Sequence, residues 1–339
     1  MAELKSLVLT GVPGWLTTAL LDDLTRHPDP QLGAIRALVH PAIDRSVLTQ
    51  SQKHWPVIGE IVPYDLAASN PIERNLEGAD AVLHSAGVIH VRRTSDWYRV
   101  NTEGTIALAR GAKAAGVRRF VFISSNAAGG ASDRFEQVLT EETPAKPRGH
   151  YGKSKWLAEQ ALLQMAVPGQ FEVVILRPSM FYGPPVPQRH VEIYRRILNG
   201  RMPLVGNGEF ARSITYIDHL VQACRLALCH PAASGQTYYI VDARVYTTKE
   251  IVDEMGRALG VPVRYWRLPQ VVGPVAGLMD QALAALGLYW QSLHLVGESH
   301  WHVGISCAKA TRELGYHPTV DLAEGMRRAV QWCRENGTL

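Results

Sequence analysis

Short apolar runs alternate with helix-forming segments through the first half of this chain, and that alternation limits the fold more than any other feature. The runs occupy residues 7–9, 35–40, 57–62, 81–84, 119–126 and 173–176, each of strand length and mostly apolar. Between them lie helical patterns, among them Leu20, Leu21 and Leu24, and a segment beginning at Asn101 that runs through Ala107, Leu108 and Ala112 to a stop at Gly116. Parallel strands need crossovers of this length, and crossover helices cover both faces of the sheet. The expected class is α/β, a doubly wound parallel sheet. After residue 178 the alternation lapses into loops, a short strand (238–241) and helices (249–259 and 322–334). The expected division is a sheet domain over 1–178 and a smaller C-terminal lobe over 179–339, with segments returning to the sheet.

The first run leads directly into Thr10-Gly11-Val12-Pro13-Gly14-Trp15-Leu16-Thr17. Strand, glycine turn and helix N-terminus form the setting in which backbone N–H groups hold a pyrophosphate. Gly11 permits the tight turn and Gly14 the approach of phosphate to backbone; Trp15 and Leu16 open the helix. Thr17 stands where a third glycine is usual, which predicts slightly wider packing of helix on strand. Other strand ends supply the remaining candidates for a dinucleotide: His40, Asp65 (facing adenine), Leu66, the small residues Ser85, Ala86 and Gly87, then Asn101, Ser124, Pro178 and Met180. The second run ends in Val39-His40-Pro41, without the carboxylate that would accept hydrogen bonds from the adenosine ribose. Nothing there repels a 2′-phosphate, and His40 with Arg45 could receive one. NADP is therefore expected in preference to NAD; plain surface is the other reading of His40 and Arg45.

Tyr151-Gly152-Lys153-Ser154-Lys155 opens a run of strong helix formers, 153–165, with no internal Gly or Pro. Tyr151 and Lys155 are four apart and share one helix face. A phenol beside an ammonium suits proton transfer, since the cation favours phenolate; the tyrosine pKa is expected to fall toward working pH. Ser124 and Ser125 end the fifth run and, by strand alternation, point to opposite faces.

Composition excludes several classes. Net charge is +4, and the excess is scattered, so nucleic acid is not an expected partner. The pairs Arg92-Arg93, Arg118-Arg119 and Arg327-Arg328 read as solvated surface. Cys224, Cys229, Cys307 and Cys333 have no C-x-x-C or His-rich spacing, which predicts free thiols, a reducing compartment and no metal site. The N-terminus carries no signal-peptide pattern, so a cytoplasmic location is expected. Residues 271–290 are strongly apolar but are interrupted by Pro274, Asp280 and Gln281, short of the ~20 uninterrupted apolar residues of a membrane span. The expectation is a buried or substrate-facing helix, with peripheral membrane contact as the open alternative.

With Gly11-x-x-Gly14, Ser125 and Tyr151-x-x-x-Lys155 in this order, the chain resembles the extended short-chain dehydrogenase/reductase superfamily. His84-Ser85-Ala86-Gly87, Asn101-Thr102-Glu103-Gly104-Thr105, Leu176-Arg177-Pro178, Tyr182-Gly183-Pro184, Tyr216-Ile217-Asp218 and a C-terminal Ala310-Thr311-Arg312-Glu313-Leu314-Gly315-Tyr316 phrase carry the likeness along nearly the whole length. It implies a Rossmann sheet binding NADP or NAD, with Tyr151 as general acid or base, Ser125 on the same substrate oxygen and Lys155 on the nicotinamide ribose. It implies substrate contacts at Asn126, Met180, Phe181 and Arg212, and, by analogy, a homodimer. Nucleotide-sugar members usually carry asparagine where this chain has Met180, whereas Arg212 matches an arginine they place on the sugar diphosphate; its alternative is a carboxylate partner in the C-terminal lobe. The leading expectation is an NADP-preferring oxidoreductase that interconverts a secondary alcohol and a ketone on a hydrophobic, sterol-like substrate, similar to 3β-hydroxysteroid dehydrogenases. A nucleotide-sugar 4-epimerase or 4-ketoreductase is the alternative, and a non-catalytic cofactor-binding regulator the reading from another class.

Overall fold

The computed structural model describes residues 4–28, 32–68, 72–132, 134–200 and 202–339. The first half runs β1 (Leu7–Thr10), α1 (Trp15–Arg26), β2 (Ile35–Val39), α2 (Arg45–His54), β3 (Ile58–Pro63), α3 (Glu73–Leu76) and β4 (Ala81–His84). Next come α4 (Thr94–Trp97), a π-helical stretch (Tyr98–Gly104), α5 (Thr105–Ala114), β5 (Arg119–Ile123), α6 (Asn126–Gly129), β6 (Val138–Leu139), α7 (Gly149–Met165) and β7 (Glu172–Pro178). The second half begins β8 (Met180–Tyr182), α8 (Gln188–Leu198), β9 (Met202–Val205), β10 (Ala211–Arg212), β11 (Ile214–Tyr216), α9 (Ile217–Cys229) and β12 (Thr237–Ile240). It ends β13 (Tyr246–Thr247), α10 (Thr248–Leu259), β14 (Tyr265–Leu268), α11 (Val272–Ala285), α12 (Gln291–Glu298), β15 (Gly304–Ile305), α13 (Ala308–Leu314) and α14 (Leu322–Glu335).

The central sheet has the order β3-β2-β1-β4-β5-β7-β12, with every neighbouring pair parallel. This is the doubly wound sheet the alternation predicts. Side chains of β1 show why both faces must be covered: Leu7 and Leu9 enter one core with α1 and α9, while Val8 enters the other with α5 and α7. The order reverses between β1 and β4, so a crevice opens at their carboxyl ends, where Thr10 and His84 lie side by side. The C-terminal lobe does not form a separate core. Ile251, Val252 and Met255 of α10 and Met326 and Val330 of α14 belong to the same cluster as Leu7 and Leu20. Well-made caps fix these lobe helices: Thr247 and Glu250 form a reciprocal capping box on α10, and Asp321 accepts from Glu324 N–H on α14.

Three expectations are corrected. The helix read from Asn101 begins at Thr94 and passes Asn101 in the π-helical stretch; such one-turn distortions concentrate at functional sites, and here the distortion lets buried Asn101 bond both Val88 N–H and Val88 C=O. Arg119 is buried rather than solvated, because β5 carries it to Glu172 (2.6 Å) and to the carbonyls of Ala227 and His230. Helix α11, read as buried or substrate-facing, turns Val271, Val275, Leu278 and Met279 outward, since Gly273, Ala276 and Gly277 form the face that packs on α12 and His300. Among the described residues no helix is long and apolar enough to cross a membrane, and Cys224, Cys307 and Cys333 form no disulfide.

Candidate active site

Gly11 sits at φ +89°, a conformation that favours glycine, and a Cβ added there would lie 2.8 Å from Ala86 N. The glycine turn thus rests directly on the loop that ends β4. Thr17 takes over from the missing third glycine in an unforeseen way. Buried at the first turn of α1, its hydroxyl donates to Gly11 C=O (2.9 Å) and accepts from Gly14 N–H (3.0 Å), locking the turn shut. His84 braces the next loop, bridging Thr10 Oγ1 (2.8 Å) and Thr105 Oγ1 (2.9 Å), while Thr10 also accepts from Ala86 N–H. Burial and the Lys155 charge push its pKa down to about 3, so the bridge is made by a neutral imidazole. Gly87 is open to the crevice, and a Cβ there would stand 2.9 Å from Asn101 Oδ1 and 3.3 Å from Lys155 Nζ. A cradle that two added methyl groups would fill fits a dinucleotide. We expect Gly11→Ala to destabilise the protein by about 1–3 kcal/mol and to abolish tight dinucleotide binding. Thermal unfolding and a cofactor titration check this; parental values in both would mean the turn has room to spare.

Helix α7 carries the candidate stripe. Tyr151, Lys155 and Glu159 follow at intervals of four and face β5 and β7. Ser125, extended at φ −157° as N-cap of α6, accepts from Ala127 N–H, and its hydroxyl is placed to lower the pKa of the Tyr151 phenol. Lys155 Nζ is buried, donates to Ile123 C=O (3.0 Å) and lies 4.7 Å over the Phe122 ring. Burial pulls its pKa down to about 8, against the opposing pull of Glu159. The tyrosine departs from expectation: its pKa is raised, because burial of the phenol outweighs the help of Ser125. Ser124 faces away, its hydroxyl donating to Glu159 Oε1 (2.5 Å); only its backbone is available to a cofactor. Arg177 closes this buried network with two bonds to Glu159 (2.6 and 2.9 Å) and one to Tyr239.

The remaining candidates divide. Leu16 is a core side chain, so only its N–H can face a ligand. Trp15 packs on Phe181 (4.7 Å between rings), which joins the glycine turn to the loop after β7. Pro178 is buried at the end of β7, Met180 is half exposed beside it, and Asn126 keeps its amide without a partner among the described residues. Leu66 packs its carbonyl against Gly104. Asp65 stands 3.7 Å from His40, because β2 and β3 end side by side; the region expected to lack a carboxylate therefore has one, brought by the neighbouring strand. The Arg45 side chain lies outside the described residues. Arg212 finds neither a carboxylate nor the open cleft: its guanidinium bonds the carbonyls of Ala211, Glu298, Ser299 and Trp301 and so caps the carboxyl end of α12. Burial lowers its pKa to about 10.

Long-range packing adds residues that no local signal marks. Trp97 lies 6.5 Å from the Tyr151 ring and 4.7 Å from Tyr289, and His150 bonds Tyr98 Oη (2.8 Å), which together wall the cleft with aromatic rings. Arg189, at the start of α8, stacks 5.3 Å over Trp15. Burial lowers its pKa, and among the described residues it meets no carboxylate. An exposed cation beside a glycine turn is suited to an anionic ligand.

A model described as the NAD dependent epimerase/dehydratase family matches residues 7–241. The chain is 36% identical to an uncharacterized protein, y4nL, of Sinorhizobium fredii, over 97% of this chain and 95% of the relative. It is 30% identical to a UDP-glucose 4-epimerase of Vibrio cholerae, over 96% of this chain and 95% of that one. Among solved structures it is similar to a dTDP-glucose 4,6-dehydratase from Streptomyces venezuelae with NAD bound, at TM-score 0.78 and 25% identity, with 98% of this chain and 97% of that chain covered.

Proposed function

Because the chain belongs to the NAD-dependent epimerase/dehydratase family, and is thus an enzyme of the extended short-chain dehydrogenase/reductase type, we propose that it interconverts a secondary alcohol and a ketone at the Ser125–Tyr151 pair, on a hydrophobic, sterol-like substrate. The observation that carries the chemistry is the convergence of the Ser125 hydroxyl on the Tyr151 phenol, one helical turn from the buried Lys155 cation. In this reading Gly11, Gly14, Ala86 and Gly87 hold the dinucleotide through backbone, and Lys155 holds its nicotinamide ribose. The nicotinamide supplies the hydride acceptor or donor. Ser125 Oγ fixes the substrate oxygen, and Tyr151 Oη gives or takes its proton. The raised Tyr151 pKa keeps the phenol protonated at neutral pH, so the pair is set to donate a proton to a carbonyl oxygen. Trp97 and Tyr289 exclude water, and exposed Met180 offers polarizable apolar surface to a hydrocarbon skeleton. Residues 1–178 form the dinucleotide-binding part of this proposal and 179–339 mainly the substrate lobe.

A nucleotide-sugar 4-epimerase is the second reading, and Arg189 favours it. With Arg212 spent on backbone carbonyls, the exposed Arg189 over Trp15 is the cation beside the glycine turn that can meet a diphosphate. On the cofactor, His40 supports NADP and the Asp65 carboxylate beside it supports NAD. One screen separates these readings: turnover and thermal shift with sterol-like alcohols and ketones against UDP- and dTDP-sugars, each with NAD and with NADP. We expect hydride transfer on the sterol-like compounds. Epimerisation confined to nucleotide sugars, and lost in Arg189→Ala, would replace the first reading with the second.

A further inference from the structure

Helices α11 and α12 form a hairpin whose composition differs from the rest of the chain. Between residues 271 and 297, Asp280 is the only Asp, Glu, Lys or Arg. It is turned inward and bonds His294 Nδ1 (2.8 Å), so the hairpin shows solvent no charge of its own until Glu298 at the end of α12. The helices approach closely because glycine meets glycine; a Cβ on Gly297 would lie 2.9 Å from Gly277 Cα. The small residues therefore take the inner face, and the large apolar ones have nowhere to go but outward. Leu278 is 67% exposed and Leu286 75%, with Val271, Val275, Met279, Leu288 and Leu295 beside them. An open cleft of about 530 Å³ runs between the helices, lined by Val272, Ala276, Leu293 and Val296 among others.

An apolar face this extensive is a contact surface rather than an accident of packing, and its rim indicates what it contacts. Trp266 and Trp290 are each more than half exposed, the placement of aromatic residues at a membrane–water interface. Arg264, just before β14, and Arg267 on it lie exposed where the chain leads into α11, and Arg92 and Arg93 lie exposed where Arg93 bridges Leu288. None of the four pairs with a carboxylate among the described residues. We propose that this hairpin docks on the surface of a lipid bilayer rich in anionic headgroups, its leucines entering the acyl boundary and the arginines meeting lipid phosphate. A second copy of the chain fits less well, since two-fold self-pairing sets the same arginines against each other while the one carboxylate between 271 and 297, Asp280, is engaged with His294. The docked face shares a wall with the reaction cleft, because Tyr289 at the hairpin's turn packs on Trp97 beside Tyr151.

The test is co-sedimentation of the full chain with phosphatidylcholine vesicles, with and without phosphatidylglycerol, at low and at physiological salt. Binding is expected to be strongest to the anionic vesicles and to weaken with salt. Leu278→Glu with Leu286→Glu should lower partition at least about tenfold. Arg92→Ser with Arg267→Ser should lower it about fivefold per arginine, on the anionic vesicles alone. Thermal unfolding shows that each variant is folded, and the arginine pair, lying outside the helices, keeps the test open if the leucine pair is not. Absence of sedimentation with either vesicle overturns the proposal. So does light scattering that reveals a dimer dissolved by Leu278→Glu, which would give this face to a second copy.

Discussion

Tyr151→Phe is expected to lower turnover by about 10²-fold or more while leaving melting temperature and dinucleotide affinity at parental values. The substitution removes one hydroxyl and keeps the ring that packs toward Trp97. What is lost, on the proposed function, is the proton donor at the substrate oxygen, and positioned acid–base groups are worth about 10²–10⁴ in rate. Ser125 retains its place as N-cap of α6, so the neighbouring turn does not move. The raised pKa of Tyr151 gives the parent a directional pH signature. Ketone reduction, which uses the phenol, should hold its rate through neutral pH. Alcohol oxidation, which uses the phenolate, should climb as pH rises toward the tyrosine pKa. Lys155→Ala supplies the contrast, because it should weaken dinucleotide binding as well as turnover. A Tyr151→Phe enzyme working at the parental rate in both directions would remove this residue from the chemistry.

Glu159→Ala should cost about 3–5 kcal/mol of stability, the range found when one partner of a buried ion pair is removed. The carboxylate is fully buried and accepts from Ser124 and twice from Arg177. Its loss leaves a buried guanidinium with only the 3.4 Å bond to Tyr239, and a serine hydroxyl without an acceptor. Denaturant titration reads the shift in midpoint. Replacing Glu159 and Arg177 together by methionine should recover much of the loss, because no uncompensated charge remains. Glu159 also raises the Lys155 pKa. In the milder Glu159→Gln variant Lys155 should therefore lose its proton at a lower pH than the parental value of about 8, and dinucleotide affinity should fall off earlier as pH rises. A parental midpoint for Glu159→Ala would show that the network has slack that its bond lengths conceal.

What the sequence made legible follows from which interactions are local. The strands could be read because apolar runs of strand length have few alternatives in a chain that also carries crossover helices. Tyr151 and Lys155 could be paired because a helix sets the spacing of four without help from the rest of the fold. Alternation along β5 separated Ser124 from Ser125, and the structure sends them to opposite partners. Apart from the start of the helix through Asn101, the failures are non-local. Arg119 read as surface because its acceptors, Glu172, Ala227 and His230, are 53 to 111 residues away. Arg212 matched a pattern, yet its neighbours in space are the last carbonyls of α12. Trp97, Tyr289 and Arg189 carry no motif and become visible only when the hairpin and α8 close over the glycine turn. The direction of the Tyr151 pKa was missed for a related reason. Spacing reveals the nearby cation but not the desolvation that opposes it.

The place of β12 bears on how such an enzyme can be rebuilt. That strand comes from the lobe half of the chain, yet it is the edge of the central sheet, pairing with β7 from Thr237 to Ile240. Its Tyr239 hydroxyl accepts from Arg177, and a Cβ on Gly129 would collide with that same hydroxyl. A chimera that borrows a new lobe with a single crossover near residue 178 would thus import a foreign strand against β7, and a foreign residue against the network beneath Lys155. Two further crossovers, one on either side of 237–240, keep the native edge strand with its native sheet. Within this architecture, specificity is a removable part only if that one strand stays behind.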